Sequence, residues 1–402
     1  MTKINPTILK WARETAGLTL DEASKKLGIT ELREALPCDR LSALENGATE
    51  PTRTMLIKMT KVYRRPLIAF YMEKPPKKSE RGQDFRTLPD GYTNHIGGLV
   101  DALIRNVYVR QSIIRSALED DDAVAKNFVG SNKLSDGIDA LINAITAYTK
   151  IDIREFRNYS SPETAFKYIR NKIETAGVFV LLMGDLGSHH TALDIEVFRG
   201  FALSDEIAPF IVINDRDSKT AWSFTLIHEL THIFLGHTGI SGINWDLEVE
   251  IFCNNVASNF LLPSEELDKL QIHNSLDFES LMELISEFAC SQNLSNSMVA
   301  YRLFIDKKIS KNTWSRLNAE YKHLWITAQT KNREKQRLKD GGPTYYTIRR
   351  HRLGENLISL VNQMIISGSI TTIKASKVLG VSPKKVQKLI EPNLQSSLNY
   401  KT

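Results

Sequence analysis

One short segment constrains the fold more than any other part of the chain. Residues 225–239 read TLIHELTHIFLGHTG, an apolar run that contains three histidines and one glutamate. His228 and His232 follow the pattern H-E-x-x-H, and positions four residues apart share one face of an α-helix. The segment therefore predicts an apolar helix from about Ser218 to His237, with two imidazoles on one side.

Two imidazoles at this spacing are suited to holding one metal ion. Zinc accepts histidine nitrogens at about 2.0–2.1 Å in tetrahedral geometry, and a catalytic zinc site has three protein ligands. Glu229 lies about 100° around the helix from His228, so it can reach a water molecule at the metal without binding the metal itself. The pattern predicts His228 and His232 as zinc ligands and Glu229 as the catalytic base.

The third ligand is expected on the helix predicted next, over residues 246–261. Glu250 in EVEIFCNNVASNFLLP is the best candidate, and Asn254 follows it one helical turn later. We expect Asn254 to orient a ligand histidine through a hydrogen bond. Asp246 and Glu248 compete with Glu250 for the ligand role, but neither has a comparable polar residue four places on.

A purely structural alternative is an amphipathic helix with two solvent-facing histidines. Its core face would then consist of the apolar residues Leu226, Ile227, Leu230, Ile233 and Phe234. His237 would contact substrate or cap the end of the helix. His189 and His190, in the loop GDLGSHHTALD, are expected to be solvated.

The segments around the motif indicate an α+β fold that is mostly helical. VFVLLMG, VFRGFAL and PFIVIND are short, β-rich apolar runs separated by turn residues, and they predict a small three-stranded sheet. Helical periodicity predominates elsewhere, and no long repeat or low-complexity tract is evident.

Length and composition bound the organisation. The 402 residues suggest two or three domains. We predict a helix-turn-helix bundle over 1–73, a Pro- and Lys-rich linker over 74–95, a catalytic domain over 96–300 with its core at 150–270, and a basic helical tail over 301–402. No run is apolar enough for a membrane span or a signal peptide. Three widely spaced cysteines, expected to be buried, fit the reducing cytoplasm.

The chain resembles the ImmA/IrrE family of zinc metallopeptidases. The resemblance rests on VFRGFAL, on APFIVINDRDSKTAWSFTLIHELTHIFLGH and on EVEIFCNNVASNFLLP, which is similar to the family's E-x-x-x-N-x-x-A helix. It implies a gluzincin-like peptidase fold, with His228, His232 and Glu250 as zinc ligands and Glu229 as general base. The sequence departs from the family at Phe252 and Cys253, where a second acidic residue and an alanine are frequent.

Both ends resemble DNA-binding elements. Residues 7–72 resemble an XRE-type helix-turn-helix, although an insertion around ELREALPC separates Gly28 from Glu45, and Pro37 is expected to interrupt the recognition helix. A second helix-turn-helix is predicted at 369–391, with bare helical packing as the alternative. Residues 300–402 hold 20 Lys and Arg against 6 Asp and Glu, whereas acidic residues predominate over 91–299. These basic ends predict contact with DNA.

Two functions follow from these features. The first is a cytoplasmic zinc endopeptidase that cleaves a protein regulator. The resemblance implies a DNA-binding repressor encoded nearby as substrate, in a mobile element, a stress response or a toxin–antitoxin module. The alternative is a DNA-binding transcription regulator whose peptidase fold acts as a sensor or docking module without proteolysis. The complete motif with Glu250 favours the first.

Overall fold

The computed structural model describes residues 4–32, 35–76, 94–240, 247–272, 276–337 and 341–391. The chain divides into two compact units. The first comprises Met1–Val107 with Asp185–Leu193, and the second comprises Tyr108–Gly184 with Asp194–Thr402. The predicted linker falls mostly at residues 77–93, outside the described residues.

The first unit is helical. Its helices are α1 (Pro6–Thr15), α2 (Leu20–Leu27), α3 (Pro37–Glu45), α4 (Arg53–Val62) and the first half of α5 (Asn94–Asp120). Apolar residues at helical spacing, among them Ile8, Leu27 and Leu41, form its core. A buried ion pair also joins α1 to α3, because Arg13 Nε and Nη2 donate to the two carboxylate oxygens of Glu45 at 2.7 and 2.9 Å.

The prediction that Pro37 interrupts the recognition helix is wrong. Pro37 is the first residue of α3, where its fixed φ suits the helix and its missing N–H group is not needed. The connection between α2 and α3 spans residues 28–36, whereas a helix-turn-helix has a turn of about three to four residues. The N-terminal helix-turn-helix therefore stays a prediction.

The second unit is built on a small mixed sheet. The three runs predicted as strands form β1 (Phe179–Leu182), β2 (Gly200–Leu203) and β3 (Phe210–Ile213), all buried. A two-residue strand, β4 (Gly239–Ile240), extends the sheet to the order β1-β3-β2-β4. β1 runs parallel to β3, with Phe179 opposite Phe210, and β2 runs antiparallel to both β3 and β4.

Helices cover this sheet and continue to the end of the described chain. In order they are α6 (Ile138–Thr149), α7 (Ile153–Arg157), α8 (Pro162–Thr175), α9 (Lys219–Phe234), α10 (Leu247–Leu261), α11 (Ser264–Leu267), α12 (Phe278–Ser291), α13 (Asn296–Ile305), α14 (Lys311–Arg337), α15 (Tyr345–Leu353), α16 (Glu355–Ile366), α17 (Thr372–Leu379) and α18 (Pro383–Ile390). α9 packs on β2 and β3 with one side and on α8 and α10 with others.

The C-terminal helices lie in the same unit as the sheet. Arg170 of α8 links them, since its guanidinium donates to the carbonyl oxygen of Val180 in β1 and, at 2.6 Å, to that of His351 in α15. Arg352 pairs with Asp215 at 2.7 Å. The domain boundaries predicted at 95/96 and 300/301 stay predictions.

Burial of the cysteines and the hydropathy of the helices bear on two further expectations. Cys253 is buried as expected, but Cys38 is only half-buried, and Cys290 is exposed because it lies on the outer side of α12. Among the described residues, no helix combines the length and the apolar character needed to cross a membrane.

Candidate metal centre

Helix α9 is buried on every side of its second half. Leu226, Leu230 and Ile233 are fully buried, and His228 and His232 are only 5% and 1% exposed. The helix ends in an ordered way, since Gly130 N–H donates to Ile233 O at 3.0 Å and Gly236 adopts a φ of 73°. The alternative of two solvent-facing histidines is therefore wrong, because the sheet and α10 enclose both rings.

Three side chains converge at the side of α9 that faces α10. His228 Nε2 and His232 Nε2 lie 3.2 Å apart. Glu250, in the first turn of α10, places Oε2 at 3.4 Å from His228 Nε2 and Oε1 at 3.3 Å from His232 Nε2. Potential ligand atoms of the three residues all lie within 4.8 Å of one another. The structure thus brings together the three residues predicted as ligands.

The separations fit a tetrahedral metal site. Bonds of 2.0–2.1 Å at tetrahedral angles place two ligand atoms about 3.3 Å apart. The observed separations of 3.2, 3.3 and 3.4 Å agree with this value. Two Nε2 atoms that face each other so closely cannot both carry a proton there, so their lone pairs and the carboxylate favour a cation. This donor set of two imidazoles and one carboxylate suits zinc.

Electrostatics keep the carboxylate ionised and one ring neutral. Burial favours the neutral form of Glu250, but hydrogen bonds with His228 and His232 outweigh it and lower the pKa of Glu250 to about 2. Burial is the main cause that lowers the pKa of His232 to about 4. Burial acts in the same direction on His228, but Glu250 and the charge of Glu229 outweigh it, so the pKa of His228 is raised.

Glu229 lies against the sheet beside these three residues. Its side chain is fully buried, and it is close enough to raise the pKa of His228. Gly200, the first residue of β2, makes room for it, since a Cβ there would lie 2.7 Å from Glu229 Oε1 and 2.7 Å from Thr225 Cγ2. The absence of a side chain at Gly200 therefore fixes where the Glu229 carboxylate can lie.

Each of the two histidines has a neighbour on α10. Asn254 hydrogen-bonds to His228. Cys253 Sγ lies 3.7 Å from His232 Nδ1, and burial raises the pKa of this thiol. The thiol is therefore neutral, and its sulfur is a weak acceptor for the Nδ1–H group of a ring that binds metal through Nε2.

Comparison with known protein families gives a match, which covers the segment that contains this site. Residues 183–304 match the family model Peptidase_M78, the IrrE N-terminal-like domain. The match supports the ImmA/IrrE family and indicates a metallopeptidase. It covers less than half of the chain but includes α9 and α10 with β2, β3 and β4. No curated protein and no solved structure gives a significant match to the chain.

Three of the remaining predicted residues, His237, Glu248 and His190, are not part of the cluster. His237 follows α9, where its N–H group donates to His232 O at 2.8 Å, and its ring centroid is 6.3 Å from that of His232. Burial lowers the pKa of His237. Glu248 and His190 are exposed, and Asp246 and the side chain of His189 lie outside the described residues. Glu248 thus does not join the cluster, and the expectation for Asp246 stays untested.

Sequence reasoning missed two contributors to this site. Gly200 lies inside the apolar run VFRGFAL. A glycine within an apolar strand can indicate that another group approaches the backbone closely at that position. For Cys253 the sequence predicts burial and a departure from the family pattern, but no contact with a histidine. Its position, three residues after Glu250, places it near the same face of α10 as Glu250 and Asn254.

Proposed function

We propose that the chain is a zinc-dependent endopeptidase that cleaves a protein regulator. The observation that carries this proposal is the convergence of His228, His232 and Glu250 at separations suited to zinc, with Glu229 buried beside them. A module that only docks a partner has no physical need for this set. The ImmA/IrrE match supports a peptidase, and we extend it to a DNA-binding repressor encoded nearby as substrate, in a mobile element, a stress response or a toxin–antitoxin module.

The chemistry follows from the positions of these groups. His228, His232 and Glu250 would hold a zinc ion, which would supply a Lewis acid to polarise a peptide carbonyl and to ease deprotonation of water. Glu229 accepts the proton from the attacking water and passes it to the leaving nitrogen. The wall of β2 and α9 around Glu229 excludes bulk water, which keeps this carboxylate in one position.

The accessible side of α10 suits an extended peptide. Leu247 and Ile251 flank Glu250 on this helix, and they are 73% and 46% exposed. Apolar side chains next to a polar cluster can take up a substrate side chain while the backbone approaches the ligands. His237 is expected to contact the substrate from the end of α9.

The test compares variants that separate chemistry from metal binding. Purified wild-type protein is incubated with the repressor encoded next to its gene, with and without a chelator. We expect cleavage by the wild type, loss with chelator and recovery on added zinc. Glu229→Gln should retain zinc and lower cleavage by about 10²-fold or more. Glu265→Gln, the same change at an exposed position, is the control.

Two outcomes would contradict the proposal. If Glu229→Gln cleaves as fast as the wild type while zinc stays bound, the carboxylate is not the base. If the wild type and Glu229→Gln both bind the repressor and neither cleaves it, the alternative of a sensor or docking module replaces the peptidase.

A further inference from the structure

A short sequence pattern occurs once near each end of the chain. Residues 19–28 read TLDEASKKLG and residues 371–380 read TTIKASKVLG. The two segments share Thr, Ala, Ser, Lys, Leu and Gly at identical spacing. Such a pattern, with small residues inside a helix and a glycine at its end, is typical of the first helix of a helix-turn-helix.

The two segments also form the same structure. Thr19 and Thr371 are the N-caps of α2 and α17, and each side chain accepts a hydrogen bond from the backbone N–H group three residues on. Gly28 and Gly380 end the helices in left-handed conformation, with φ of 68° and 61°. Ser24 and Ser376 are both buried and donate to the carbonyl oxygen three residues earlier.

The chain that follows the pattern differs between the ends. After Gly380, helix α18 begins at Pro383, so residues 380–382 form a compact turn. After Gly28, helix α3 begins only at Pro37. A helix-turn-helix needs about three to four residues at this point, because the second helix must cross the first at a fixed angle. The C-terminal copy meets this requirement and the N-terminal copy does not.

The second helices also differ in charge. Helix α18, PKKVQKLI, carries three lysines and no acidic residue, whereas α3, PCDRLSALE, carries Asp39 and Glu45 against one arginine. Val386, Leu389 and Ile390 bury one face of α18, which leaves Lys384, Gln387 and Lys388 on the exposed face at helical spacing. A phosphate-rich groove is attracted to α18 and not to α3.

Neighbouring residues extend this basic face. Lys374 and Lys377 of α17 are exposed. Lys385 Nζ lies 4.4 Å from the ring centroid of Tyr345, and Lys388 Nζ lies 5.2 Å from that of Tyr346, so α15 supports two of the α18 lysines. Within the described part of the chain, no ion pair links a carboxylate to any of the five lysines, which are Lys374, Lys377, Lys384, Lys385 and Lys388.

The three helices pack against one another, and α15 packs against α16 and α18. Buried apolar residues of α16 face those of α17 and α18. They are Leu357, Ile358, Val361, Met364, Ala375, Val378, Leu379, Val386 and Leu389. A three-helix core with a compact turn holds the last helix rigidly, as insertion into a groove requires.

We infer that α16–α18 is a module that binds double-stranded DNA, with α18 in the major groove. Its exposed lysines contact phosphates, and Lys384 and Gln387 are placed to reach base edges, because lysine and glutamine pair with guanine and adenine in that groove. The N-terminal copy does not read DNA in this way.

Binding to a labelled duplex of about 30 base pairs tests the inference in the full-length chain. Lys384→Glu/Lys385→Glu/Lys388→Glu should weaken affinity by at least about tenfold. It should also reduce the slope of log affinity against log salt by about 2 to 3, at about 0.9 per lost phosphate contact. The matched control reverses three exposed lysines elsewhere in the same unit and should bind like the wild type; these are Lys133, Lys167 and Lys311. A triple change to Gln should have a smaller effect in the same direction, and circular dichroism with thermal unfolding reports that each variant is folded.

Three results would overturn the inference. The first is unchanged duplex binding in both α18 triple variants. The second is a loss of duplex binding when only Lys25, Lys26 and Lys61 in the N-terminal unit are changed to Glu and α18 is left intact. The third is displacement of the duplex by poly-L-glutamate at equal charge concentration, because a surface that fits an acidic protein equally well is not a DNA-reading surface.

Discussion

Replacing Gly200 by alanine tests whether the position of the Glu229 carboxylate matters. The added Cβ would lie 2.7 Å from Glu229 Oε1 and 2.7 Å from Thr225 Cγ2. An ordinary contact needs about 3.4 Å, so the carboxylate must move by roughly 0.7 Å or β2 must shift. Overpacking of this kind costs about 1–3 kcal/mol of stability.

The expected effect on catalysis is larger than the effect on folding. A misplacement of about 1 Å can lower a rate by about 10²-fold, so a shift of roughly 0.7 Å should cost on the order of tenfold to 10²-fold in kcat. Zinc content should stay that of the wild type, because the change touches none of the three ligands. KM should change little, since β2 lies behind the base.

The assay measures repressor cleavage, zinc content and thermal unfolding on the same preparations. Gly342→Ala is the control, because a Cβ at that residue meets no atom within 4 Å. Full activity of Gly200→Ala with normal zinc would refute the reasoning, since it would show that the packing of Glu229 against β2 does not set the geometry of the reaction.

Three other changes have definite expected outcomes. Cys253→Ala removes the acceptor near His232 Nδ1 and should weaken zinc binding by about tenfold, whereas Cys253→Ser should retain most of the affinity. Competition with a chromophoric chelator measures the zinc affinity of both variants. Zinc affinity should fall as pH is lowered through the raised pKa of His228, because the protonated ring cannot bind metal. Competition with the same chelator measures the affinity across about pH 5 to 8, and an affinity that does not change with pH would contradict this prediction. Glu45→Gln breaks the buried pair with Arg13 and should destabilise the first unit by about 3 kcal/mol in urea unfolding, with zinc content unchanged.

Local patterns carried most of what could be predicted. The strands β1, β2 and β3 and the helices α9 and α10 follow from periodicity and turn residues, which act over a few neighbouring positions. Glu250 could be predicted as the third ligand because its position one turn before Asn254 on the same helix is also a local feature of the sequence. The choice among Asp246, Glu248 and Glu250 was thus possible before any contact was known.

Contacts between distant segments could not be read in the same way. The packing of Gly200 on Glu229 joins β2 to α9, and nothing in either segment names the other. The hydrogen bond from Arg170 to His351 O, which ties α15 to α8, spans 181 residues. The prediction that Pro37 interrupts a helix fails because a proline breaks a helix only in its interior, and Pro37 is the first residue of α3. The start of α3 depends on the length of the preceding connection, which the local sequence does not show.

The zinc content of the untagged protein, purified without added metal, tests the central claim most directly. Mass spectrometry of the folded and the denatured chain should show about one zinc ion per folded chain. His232→Ala and Glu250→Gln should lose it, while Glu248→Gln, the same change at the exposed neighbour on α10, should keep it. Full zinc occupancy in His232→Ala and Glu250→Gln, or a metal-free wild type that binds no zinc on titration, would contradict the proposed metal centre.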